Sequence, residues 1–249
     1  MSRGNPWLPL GTQPDAELRL LCLPHAGAGA SQFSSWGKGL PPHIAACPVQ
    51  PPGRESRRRE PPFINVEPLA REIAVEIVSS VREPFALFGH STGALCAFET
   101  ARELRRINGP SPLHLFVSGR CAPQIPIERH DLSMIDVTEL AVVLRELGGT
   151  PEEVLSDPDL LGFLQPLLAA DFSVNEDYEY VPEKPLDLPV TAFAGVDDPG
   201  ADVAGMAPWE AQSARKFRLH ALAGGHFAVF DHAAEIHEAI AAALAEHRQ

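Results

Sequence analysis

Short apolar runs alternate with amphipathic stretches along most of this chain, and no other feature restricts its fold as much. "LRLLCLPH" (18–25), "HIAACPVQPPG" (43–53), "PFALFG" (84–89), "LHLFVSG" (113–119), "LPVTAFAG" (188–195) and "FRLHALAG" (217–224) each read as a buried strand ending near Gly or Pro. Between them, "VEPLAREIAVEIVSSV" (66–81) sets Leu69, Ile73 and Ile77 four apart on one helical face. "ALCAFETARELRR" and the closing "HAAEIHEAIAAALAEH" (232–247) also read as helices. Strands without polar alternation, separated by helices, predict an α/β fold: a mostly parallel sheet with helices on both faces. The chain has 249 residues, 45% of them hydrophobic, which is enough core for a single domain over 1–249.

One interval breaks the alternation. Between Arg120 and Asp187 there is no convincing strand. Asp136 with Glu139, and Thr150-Pro151-Glu152-Glu153, fit capping boxes, and Asp157-Pro158 opens a third helix. "TELAVVLRELGG" has one apolar face and a double-glycine stop. The expectation is a helical insertion at about 121–186, far longer than the usual ~2–6-residue α/β connection. A connection leaving the carboxyl end of a parallel strand overhangs the ligand site, so the insertion is expected to be a lid. Its apolar residues, among them Leu140, Val143, Leu144, Leu160, Phe163, Leu168 and Phe172, would then divide between packing and an acyl chamber.

"LFGHSTGALC" (87–96) carries the chemistry. Gly89-His90-Ser91-Thr92-Gly93 is G-x-S-x-G between a strand and a helix, the setting of a nucleophile elbow. A serine hydroxyl is a weak nucleophile and needs a base and a group to orient that base. Of ten histidines, His226 stands out, in "AGGHFAVF" on a Gly-Gly loop directly after the last strand. His232, His237 and His247 lie in or at the end of the final helix and read as solvated, and His220 lies within a strand. His90 neighbours the serine, with its side chain expected to point elsewhere. The loop after the preceding strand, "TAFAGVDDPG", supplies Asp197 and Asp198 as candidate acids. The order serine, acid, histidine is that of α/β-hydrolases.

Composition excludes other classes. A net charge of −13 argues against nucleic acid as partner. No stretch approaches the ~20 apolar residues of a spanning helix, so no membrane association is expected. "MSRGNPWLPLGTQPDAE" has no apolar core of a signal peptide. Cys22, Cys47, Cys96 and Cys121 form no C-x-x-C pair, and read as reduced residues of a cytoplasmic protein rather than a disulfide framework or zinc site.

Taken together, "LCLPHAGAGAS", "VQPPGRESRRREPP", "FALFGHSTGALCAFETARELR", "LFVSGRCAP", "LGGTPEEVL", "LLAADFSVNEDYEY", "PVTAFAGVDDP" and "GGHFAVFDH" resemble the type II thioesterases, free-standing editing enzymes of polyketide and nonribosomal peptide synthesis. The resemblance spans nearly the whole chain. It implies an α/β-hydrolase fold with a lid, and hydrolysis of acyl groups from the phosphopantetheine arm of acyl or peptidyl carrier proteins. It implies Asp198 rather than Asp197 as the acid, because the family's acid directly precedes the proline. "PHAG" matches the first oxyanion loop, so the backbone N–H groups of Ala26 and Thr92 become the expected oxyanion donors. Neither a metal nor an organic cofactor is expected, and a monomer is. The chain departs from the family at Thr92, where methionine is usual, at Pro51, where tyrosine is usual, and at "GADVAGM" after the acid, which predicts a more mobile acid loop.

The alternatives on the same fold are a small-molecule carboxylesterase and an acyltransferase; from another class, a catalytically dead binding module. Arg54, Arg57, Arg58 and Arg59 form the densest positive cluster, readable as a carrier docking patch or as a solvated loop.

Overall fold

The computed structural model describes residues 5–9 and 16–248, so most of the N-terminal stretch read above for a leader lies outside the described residues. Six strands form one sheet in the order β2-β1-β3-β4-β5-β6. They are β1 (Leu18–Leu23), β2 (Ile44–Pro48), β3 (Phe85–His90), β4 (Leu115–Ser118), β5 (Val190–Gly195) and β6 (Phe217–Leu222). Every pairing is parallel. Helices α1 (Val66–Ser80) and α2 (Thr92–Arg106) flank β3; α6 (Val203–Met206), α7 (Ala228–Asp231) and α8 (Ala233–Ala245) follow in the last third.

The two-residue period of the strands sorts their side chains between two layers. Leu21, Leu87, Val117 and Ala192 face Ile73, Ile77, Leu95 and Phe98 of α1 and α2. Leu20, Phe88, Phe116 and Phe193 face Ile236, Ile240 and Leu244 of α8. β1, β3 and β5 are buried along their whole length, which is why their sequences are apolar without alternation. His237, expected to be solvated, is buried instead: its ring meets Trp36 edge-on, with centroids 5.0 Å apart. The cause is that α8 turns this face towards the sheet.

The chain enters β1, crosses to β2 on one side, and returns to β3 on the other. This reversal opens a crevice beyond the carboxyl ends of β1 and β3, where such sheets bind ligands. The loop at 24–30 and the turn at Ser91 both lie there.

Between β4 and β5 run α3 (Val137–Leu147), α4 (Glu152–Leu155) and α5 (Pro158–Glu176). They share a small core of their own, built on Leu132, Leu140, Leu144, Leu155 and Leu161. Asp136 and Glu139 form the expected capping box, and Asp157 accepts from the amides of Asp159 and Leu160. The second expected box is absent: α4 starts after Pro151, its N-cap, and no side chain caps it. The double-glycine stop holds, with φ of 77° at Gly148 and 74° at Gly149.

Candidate active site

Ser91 sits between β3 and α2 with φ 54° and ψ −123°, a conformation costly for any residue bearing a Cβ. Its amide donates to the Ser118 carbonyl at 2.8 Å, which pins the turn to the neighbouring strand end. The flanking glycines are a steric requirement. A Cβ on Gly89 would run into the Gly93 carbonyl, and one on Gly93 into the Leu23 carbonyl. Thr92 is the first residue of α2, so its N–H has no partner within the helix and points out of its positive end.

His226 follows β6, and Asp198 follows β5. His226 Nδ1 lies 2.8 Å from Asp198 Oδ2. Burial works against the charge of Asp198, but the His226 ring and the amides of Gly200 and Ala201 outweigh it, and the carboxyl is held below its ordinary value. An ionised carboxylate only accepts, so Nδ1 carries the proton and Nε2 is free to act as a base. Asp197 is exposed and its backbone amide donates to the Gly224 carbonyl. The acid loop is better anchored than its sequence suggests. Asp198 Oδ1 accepts from Gly200 and Ala201, the Cys121 thiol donates to the Gly200 carbonyl at 3.1 Å, and Ala201 is buried.

Ser91, His226, Ala26 and Thr92 line one cavity of about 610 Å³, while Asp198 stands behind His226. The insertion supplies the opposite wall through Val143, Leu144, Leu147, Leu168 and Phe172. That wall is less apolar than expected, since Glu128, Glu146, Glu176 and Arg120 also line it, whereas Phe163 is 77% exposed.

Of two neighbouring histidines, His25 was not singled out in the sequence, and His90, expected to point elsewhere, packs against His226. The His90 ring lies 5.0 Å from that of His226 and 5.8 Å from that of His25. Burial pushes His25 down to about 4 and His90 well below its ordinary value, and the positive charge of a protonated His226 adds to both effects. Both rings therefore stay neutral, and neither places a second positive charge beside the imidazolium that would form at His226. Nothing in their spacing signals this; it follows from the crossing of loops distant in sequence. The other missed feature is a buried ion pair between Arg54 and Asp171.

The basic cluster divides in the structure. Arg54 is buried with Asp171; Arg57 is buried against the Trp7 ring, 4.2 Å from its centroid, and pairs with Glu60. Only Arg58 and Arg59 are exposed.

The doubly wound parallel sheet, with loops converging on a turn after its third strand, is the architecture of an α/β hydrolase. The chain belongs to the thioesterase domain family, whose model matches residues 18–244. It is 42% identical over 216 residues to the gramicidin S biosynthesis protein GrsT of Aneurinibacillus migulanus, covering 87% of this chain and 84% of that one. Among solved structures it superposes on the RedJ thioesterase of the prodiginine pathway of Streptomyces coelicolor with a TM-score of 0.86, at 37% identity, covering 92% and 86% of the two chains. The type II thioesterase BorB of the borrelidin cluster matches with a TM-score of 0.84, at 35% identity, covering 93% and 94%. Among the described residues no helix is long and apolar enough to cross a membrane.

Proposed function

We propose that this chain is a free-standing type II thioesterase that clears acyl groups from the phosphopantetheine arm of acyl or peptidyl carrier proteins by serine catalysis. Ser91 Oγ attacks the thioester carbonyl while His226 Nε2 takes the hydroxyl proton. The oxyanion is received by the N–H groups of Ala26 and Thr92, each worth on the order of 3–4 kcal/mol in such sites. Collapse breaks the C–S bond, and the pantetheine sulfur leaves with the proton from His226. Water then attacks the acyl-serine, His226 takes its proton, and the carboxylic acid departs with Ser91 restored. Asp198 holds the imidazole in the required tautomer and balances its charge.

The observation that carries this reading is the convergence of separate loops on one cavity, with His226 backed by Asp198. These groups account for every proton and charge in both half-reactions, so the reading assigns no cofactor. One chain supplies all of them, which supports a monomer, and the four free cysteines support a reducing, cytoplasmic setting. The chain is read as one domain in which α3 to α5 act as the lid. The apolar part of the wall selects weakly, about 1–3 kcal/mol per methylene at most, which suits clearance of many short acyl groups at low kcat. Comparing a carrier-bound acyl thioester with a free ester of the same acid tests the leaving group. We expect the carrier thioester to have the higher kcat/KM; preference for the free ester would favour a carboxylesterase.

A further inference from the structure

The loop that follows β1 is anchored by side chains far from it in sequence. The Gly27 N–H donates to Asp171 Oδ2 at 2.7 Å, and the carbonyl of the same peptide unit, that of Ala26, accepts from His25 Nδ1 at 2.9 Å. Both ends of the Ala26–Gly27 peptide plane are thus fixed. Gly27 adopts φ 78°, and a Cβ there would come within 2.7 Å of Leu168 on α5, so the loop is pressed against that helix. The Asp171 carboxylate also takes a two-pronged contact from Arg54, at 2.8 Å to each oxygen. Arg54 is itself held: its Nε donates to the Pro52 carbonyl at 3.0 Å, and Gln50 Nε2 donates to the Arg54 carbonyl at 3.2 Å. Gln50 Oε1 then accepts from the Ala30 amide at 2.9 Å, securing the far end of the loop. Asp171 and Arg54 are 5% and 7% exposed.

An ion pair this deep adds little to stability, since apolar residues of equal volume often serve as well or better. Its distinctive product is a carboxylate acceptor held at one backbone amide, that of Gly27. Burial pushes the Asp171 carboxyl above its ordinary value, and the Arg54 guanidinium opposes that by favouring the charged form.

We propose that Asp171, paired with and oriented by Arg54, is a positioning residue for the oxyanion loop: by fixing the Ala26–Gly27 peptide it restrains the Ala26 backbone, and with it the preceding His25–Ala26 peptide whose N–H faces the reacting carbonyl. This rests on reading Ala26 as an oxyanion donor. It also narrows the lid read above: α5 becomes part of the catalytic frame, and any opening of the insertion is left to α3 and α4.

The test uses two variants of the whole chain, Asp171→Asn, which keeps shape, and Arg54→Met with Asp171→Leu, which removes both charges together. With a small soluble acyl thioester, kcat is expected to fall ~10–100-fold, less than the ~100–1,000-fold of losing a donor outright, with KM within about twofold. The Ki of a trifluoromethyl ketone, whose adduct places an oxyanion in the same spot, should weaken by a similar factor. A folded variant with unchanged kcat and Ki, or one in which only Tm falls, overturns the proposal. Ser91→Ala separates the two levels. If it retains turnover, the serine reading itself fails; if it is inactive while the Asp171 variants are normal, only the positioning role falls.

Discussion

The His226 Nδ1–H donates to Asp198 Oδ2 across 2.8 Å, while the other carboxylate oxygen is committed to the amides of Gly200 and Ala201 at 2.9 and 3.1 Å. Asp198 therefore cannot rotate without giving up both loop amides, and the imidazole inherits that rigidity. Asp197, one residue earlier, is exposed. Asp198→Asn should thus present the wrong tautomer and lose ~10⁴-fold in kcat, as such substitutions do in serine hydrolases. Asp197→Asn should stay within a few-fold of the parent. Steady-state kinetics on one soluble thioester decide it, and the reverse ranking would refute the assignment.

Ser91 holds a backbone conformation that only glycine adopts without cost, about 1–3 kcal/mol for other residues. Ser91→Gly should be more stable to urea than Ser91→Ala by ~1 kcal/mol, with neither turning over substrate. Equal midpoints would mean that the turn stores no strain.

Histidines held neutral by burial make stability fall with acid. His90, His114 and His237 are buried and His25 is half-buried; burial lowers all four, His114 to about 3 and His25 to about 4. The unfolded chain protonates these rings near pH 6.5, whereas the folded chain resists until far lower pH. Their contribution is complete above 6.5 and is lost as pH falls towards the folded values. Each ring costs ~1.4 kcal/mol per pH unit once the unfolded ring is fully protonated, and ~1 kcal/mol over the first unit below 6.5, so the two most buried rings together predict a loss of ~2 kcal/mol between pH 6.5 and 5.5. Urea unfolding at the two pH values measures it; an unchanged or higher midpoint at pH 5.5 contradicts the neutral assignment.

Docking on a basic patch now rests on two residues. Arg54 and Arg57 are structural, while Arg58 and Arg59 reach solvent. With a net charge of −13 the chain repels acidic carriers overall, so a local positive contact has a large relative effect. Arg58→Glu with Arg59→Glu should raise KM for a carrier-bound substrate several-fold and flatten its salt dependence, leaving a small thioester unaffected. Equal effects on both substrates would make the loop structural.

The parallel sheet was legible because buried strands are apolar throughout, and each of the six expected runs forms a strand; β6, expected to be buried, lies at the sheet edge and is buried only at Leu222. Ser91, His226 and the pair Asp197–Asp198 stood out because turn chemistry after a strand leaves a local trace; only the family resemblance pointed to Asp198, whose carboxylate lies 2.8 Å from His226. What stayed hidden is non-local. His237 looked solvated because a helix's inward face depends on what lies beneath it. The acid loop looked mobile because its anchors, the Asp198 carboxylate and the Cys121 thiol, act across a turn and from another loop. Arg54 looked like a surface charge because its partner, Asp171, lies 117 residues away.

The central claim is that Ser91 hydrolyses acyl thioesters held on carrier proteins. Intact-mass spectrometry of an acylated carrier protein, followed over time with the wild-type chain and with Ser91→Ala, tests it directly. The wild type should strip the acyl group and leave the free phosphopantetheine thiol, with the carboxylic acid recovered, while the folded Ser91→Ala leaves the acyl carrier intact. Equal deacylation by both proteins, or no deacylation by the wild type across short acyl groups, would contradict it.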